Sequence, residues 1–65
     1  MKAGIVIDNW KLPIFSRLLR EAGFNYIQMP GLDKGTYLLT VETESAQKLG
    51  QIVLKANVEA ARSKM

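Results

Sequence analysis

The chain has no cysteine and no histidine. Without cysteine no disulfide can brace the fold, and without either residue the usual zinc ligand sets are missing. The lack of histidine also leaves Ser16 and Ser45 without a visible base, so serine nucleophile chemistry has no support. Asp8 closes an apolar run, but no second acid is placed beside it by motif. A loop-capping role for Asp8 or Asn9 therefore outweighs a catalytic one. Glycine is too sparse around Gly31 and Gly35 for a phosphate-cradling loop, and the pair reads most simply as a turn. No apolar segment approaches membrane-spanning length, and none follows Met1-Lys2 as a signal peptide would. A cytoplasmic location is the default expectation. Internal repeats, linkers and low-complexity stretches are also lacking. The expectation is a non-enzyme with no cofactor and no metal.

What remains is ordinary globular composition, 48% hydrophobic and 23% charged, in 65 residues. That length makes one domain, residues 1–65. A domain so short buries only about 60% of the surface its unfolded chain exposes. Small scaffolds add disulfides, a structural metal or a partner subunit. With the first two excluded by composition, self-association is the expected staple. The net charge is +3, nine basic against six acidic residues. The basic residues form no run, and a nucleic-acid binder of this size carries more charge on one face. Nucleic acid is therefore not the expected partner, and neither is a membrane.

Ala3 to Asp8 is a short β-branched run that reads as a strand, with Ile5 and Ile7 on one face and Val6 on the other. A loop is expected at 9–12, because Pro13 biases Leu12 away from helical angles. Pro13 itself suits the first turn of a helix running to about Ala22. Phe15, Leu18, Leu19 and Ala22 would form its buried stripe, with Ile14 on the flank and Arg17, Arg20 and Glu21 facing water. Gly23 is the expected left-handed stop. Phe24 to Met29 reads as a second strand, 30–35 as a hairpin loop, and Thr36 to Thr43 as the third strand. Thr43 or Ser45 can cap a last helix, which Ala46, Leu49, Ile52, Val53, Ala56 and Ala60 carry to about Arg62. Gly50 inside that helix is read as a mark of close helix packing.

The order β-α-β-β-α predicts an α+β domain. A strand–helix–strand unit leaves the first two strands parallel, and the 30–35 loop makes the second and third an antiparallel hairpin. Insertion of the third strand gives a three-stranded sheet of order 1-3-2 with both helices on one face. That arrangement is ferredoxin-like but lacks the last strand. It exposes the first strand as an open edge and leaves Val6, Leu38 and Ile27 on an uncovered outer face.

The same topology gathers the end of the first strand, the start of the first helix, the 30–35 loop and the tail of the last helix. Trp10, Lys11, Lys34, Arg62 and Lys64 are thereby candidates for one basic rim. An indole beside a cation and a helix N-terminus can stack a base and hold a phosphate. The plainer reading, that Trp10 covers the end of a small core or lies in a subunit contact, outweighs this one, since aromatics dominate small cores and interfaces. Arg17 and Arg20 read as a solvated helix face. Asn57 either fixes an interface register or sits just outside the buried stripe.

The opening KAGIVIDNWKLPIF (Lys2 to Phe15) and the ending LKANVEAARSK (Leu54 to Lys64) resemble those of small accessory proteins of bacteriophages and prophages. The resemblance implies a binding role in the host cell. Such proteins often block host factors, and some sequester the nucleotide signals of antiphage defence as small oligomers. It carries no site residue. The leading expectation is a homo-oligomer that sequesters a small anionic ligand, such as a cyclic nucleotide, through Trp10 and Lys11 with Lys34, Arg62 and Lys64 as charge support. The alternative is a protein–protein interaction module that inhibits or adapts a host enzyme through its open edge strand.

Overall fold

Alternating side chains in three short extended segments build a single sheet, and two amphipathic helices cover one side of it. A computed structural model describes residues 1–63. The elements are β1 (Lys2–Asp8), a 3-10 turn (Asn9–Lys11), α1 (Leu12–Glu21), β2 (Asn25–Pro30), β3 (Thr36–Glu42) and α2 (Ala46–Ser63). The sheet order is β1-β3-β2, with β3 antiparallel to both neighbours. This is the α+β order and strand arrangement expected from the sequence.

The register fixes which residues share a face. Ile5 pairs with Leu39 and Ile7 with Tyr37 across β1 and β3, and Tyr26 pairs with Val41 across β2 and β3. These residues face the helices. Ile7, Leu39 and Val41 join Phe15, Leu18 and Leu19 of α1 and Leu49 and Ala56 of α2 in one buried cluster. Both helices therefore pack on the same side.

Helix α1 ends as its glycine predicts. Gly23 takes φ +80°, its amide donates to the Arg20 carbonyl at 3.0 Å, and the Phe24 amide donates to Leu19 at 2.9 Å. The two bonds satisfy carbonyls that the helix end would orphan. At the same end of the sheet, where Asn25 pairs with Glu42, Ser45 caps α2 by accepting the Lys48 amide at 3.2 Å. Thr43 folds over the approach instead, its hydroxyl accepting the Ser45 amide at 3.0 Å.

Four local expectations need correction. Residues 9–11 form a 3-10 turn rather than a loop, and it runs directly into α1. Leu12 is accordingly helical, at φ −54° and ψ −46°. Its amide donates back to Asn9, so the continuing turn outweighs the bias that a following proline imposes. Ala22 is exposed, because the chain is already leaving the helix for Gly23. Gly50 marks no close packing: it is exposed, and a side chain there would meet nothing within 4 Å.

One sheet face carries no covering layer. The chain exposes 4667 Å², about a tenth more than the ~4,200 Å² typical of a compact chain of this mass. No helix of the described residues is long and apolar enough to cross a membrane.

Candidate binding surfaces

The rim at the end of β1 is built by the 3-10 turn and the 31–35 loop. The Asn9 amide donates to the Gly35 carbonyl at 2.8 Å and holds the two segments together. Within the loop, the Gly31 amide donates to the Thr36 carbonyl at 3.0 Å, and Thr36 Oγ1 donates to the Asp33 carbonyl at 2.8 Å. Gly31 is required here, since a Cβ would stand 2.1 Å from Thr36 Oγ1.

Trp10 is 39% exposed in this turn. The Lys11 ammonium lies 5.4 Å from the centroid of its ring, within cation–π range. The same ammonium is 3.9 Å from Asp8 Oδ2. A carboxylate thus stands where an anion would approach Lys11. The turn also draws the Leu12 amide back to Asn9, so part of the positive end of α1 is already used. Lys34 is exposed beside Gly35 and so neighbours the Trp10 turn. Arg62 is exposed in the last turn of α2, which the topology carries to this end. Lys64 lies outside the described residues. The fold therefore brings Trp10 and Lys11 into contact and sets Lys34 alongside.

Arg17 has a partner that the sequence does not announce, because Glu59 is 42 residues away. Its guanidinium donates to the Glu59 carboxylate and joins α1 to α2. That hydrogen bond and the carboxylate's charge raise the Arg17 pKa above its ordinary value. Ser16 is likewise engaged, sharing a hydrogen bond with the Tyr26 hydroxyl.

The larger surface is the outer sheet face. Val6 is 67% exposed and Ile27 63%. The register aligns Val6 with Leu38 and Leu38 with Met29, so three apolar side chains cross the sheet in one row. Ile27 lies in the next row, with Thr40 and Gly4. Leu32, fully exposed in the 31–35 loop, extends the patch past the sheet end. Beside it a concavity of about 470 Å³ is walled by Val6, Met29, Pro30, Leu32 and Leu38. Sequence reasoning placed Val6, Leu38 and Ile27 here but missed Met29 and Leu32. Met29 has the same strand parity as Ile27, which is a usable signal. Leu32 is a lone apolar residue in a polar turn.

A smaller apolar stripe lies on α2, where Leu54 is 67% and Val58 47% exposed. Asn57 is exposed next to them, outside the buried stripe.

Comparison of the chain with protein-family models, with curated proteins and with solved structures finds no match.

Proposed function

We propose that this chain is a non-enzymatic, homo-oligomeric binding protein that assembles through the outer face of its sheet. The observation that carries the reading is the uncovered apolar row Val6–Leu38–Met29 with Ile27 and Leu32 beside it. Antiparallel sheets that face water carry polar residues on that side. Here the middle of the outward face is apolar, at Val6, Leu38, Met29 and Ile27, and such a patch marks an interaction surface. The small core supports the same reading, since a second copy supplies the apolar burial that 65 residues lack. The resemblance of the chain ends to small phage proteins fits an accessory role in a host cell. Anion sequestration at the Trp10 rim draws less support, because Asp8 competes for Lys11.

Light scattering coupled to size exclusion tests the reading, with Val6→Lys as the probe. Val6 is exposed, so the substitution leaves the monomer fold intact by circular dichroism. The expected outcome is an oligomer for the native chain and a 7.3 kDa monomer for the variant. A native chain that stays monomeric up to millimolar concentration removes the reading.

A further inference from the structure

We propose that the outer face is covered by the same face of a second copy. The two-fold axis lies between the sheets, at right angles to the strands. The inference rests on the self-association just described and names its geometry.

The argument starts from the rows of outward side chains. From one end of the sheet to the other, the register sets Lys2 with Glu42 and Asn25, then Gly4 with Thr40 and Ile27. Val6 with Leu38 and Met29 comes next, and Asp8 with Thr36 last. Two sheets stacked about 10 Å apart bring outward side chains into contact. The proposed axis reverses the row order and keeps each strand opposite its own copy, and the contact is isologous.

Under that operation the second and third rows meet. The branched Val6 side chain comes over the partner's Gly4, the smallest outward residue, and Ile27 meets the partner's Met29. The outer rows meet as well, and Lys2 faces the partner's Asp8. Every contact occurs twice. Leu32, just beyond the end of β2, comes over the start of the partner's β2. A hollow of about 140 Å³ lies there, walled in part by Asn25, Ile27 and Thr40. That volume is close to the ~150 Å³ of a cavity that holds benzene.

The other face-to-face two-fold runs along the strands. It sets Glu42, with the Met1 ammonium 3.9 Å away, against its own copy and Lys2 over the partner's Asn25, so the Lys2–Asp8 attraction is lost. Of these two orientations, charge complementarity favours the first.

The area is sufficient for a modest dimer. Three strands about 4.8 Å apart and seven residues of about 3.3 Å make a face of roughly 14 by 23 Å. With side-chain relief, the loop and both copies counted, about 1,000 Å² is buried, the lower bound for a specific interface.

Sedimentation equilibrium across micromolar to millimolar concentration tests the geometry. The variants are Lys2→Glu, Asp8→Lys, their combination, Ile27→Lys and Leu54→Lys, with circular dichroism as the fold control. Each charge reversal alone is expected to weaken the dimer about tenfold, and the combination to restore it to within about threefold of the native chain. Ile27→Lys should weaken it by about a hundredfold or more, and Leu54→Lys should leave it unchanged. A combination as weak as its parts overturns the orientation while self-association stands. An Ile27→Lys dimer of native strength overturns it in favour of β1 edge pairing, which never touches β2. Loss of the dimer with Leu54→Lys instead moves the interface to α2. A native chain with no dimer at any concentration overturns both this geometry and the reading beneath it.

Discussion

The two faces of the sheet carry similar apolar residues at their centres, and these meet opposite fates. Leu39 and Leu38 are neighbours in β3, yet Leu39 is wholly buried under the helices and Leu38 stands on the uncovered side. Ile7 and Val6 repeat the contrast in β1, at 5% and 67% exposure. A strand with one wet face alternates apolar with polar. Here apolar side chains fall on both sides, so strand periodicity marks the pleat without marking the core. The helices decide. The stripe of Phe15, Leu18 and Leu19 and the stripe of Leu49 and Ala56 cover one sheet side, and the other is left uncovered.

The comparison breaks most sharply at Leu39. Leu39→Ala removes a fully buried side chain at the centre of the middle strand and is expected to cost about 2–5 kcal/mol. A domain of this length has only a few to about 10 kcal/mol in total, so the variant should be largely unfolded at 37 °C. Leu38→Ala, one residue away, is expected to cost the monomer about 1 kcal/mol or less. Urea denaturation at concentrations too low for assembly measures both. Equal losses would mean that the outer face is as much a core as the inner one, and the contrast would fail.

The same contrast continues on α2. Leu49 is buried and its neighbour Gly50 looks into open space. Gly50→Ala places a methyl group where nothing stands and removes the entropy that glycine costs in a helix interior. A gain of about 1 kcal/mol is expected, read as a higher melting temperature. A loss of stability would mean that another helix packs on this side, as the sequence reading held. It would move the uncovered surface from the sheet to α2.

Most of the architecture is legible in the residues alone because it follows from punctuation. Gly23 ends α1, Pro30 and Gly31 open the turn after β2, and short connections leave few ways to order three strands. What stayed hidden depends on contacts distant in sequence or on cooperative turns. The Arg17–Glu59 pair spans 42 residues, and no spacing rule joins them. The 3-10 turn that makes Leu12 helical is held by the Asn9–Gly35 bond, which exists only once the sheet has formed. For the binding surface, Val6, Leu38 and Ile27 follow from parity and strand order. The engagement of Lys11 by Asp8 depends on how the turn curls, and composition gives no warning of it.

The smallest expected effect is the most discriminating. Val6→Thr keeps a β-branched side chain of nearly the same shape, and so preserves the strand preference of β1. In the monomer the residue is mostly in water, so its unfolding free energy should change by no more than about 0.5 kcal/mol. In the proposed dimer the same hydroxyl comes over the partner's Gly4, which has no side chain to bond it. An unpaired polar group costs about 1–3 kcal/mol when buried, and the symmetry of a two-fold contact applies that cost twice. Denaturation of the dilute monomer and the dimer dissociation constant, measured on one sample series, separate the two effects. A variant silent in the first and at least about tenfold weaker in the second would locate Val6 in the interface. Silence in both would return Val6 to solvent and leave the outer face without a role in assembly.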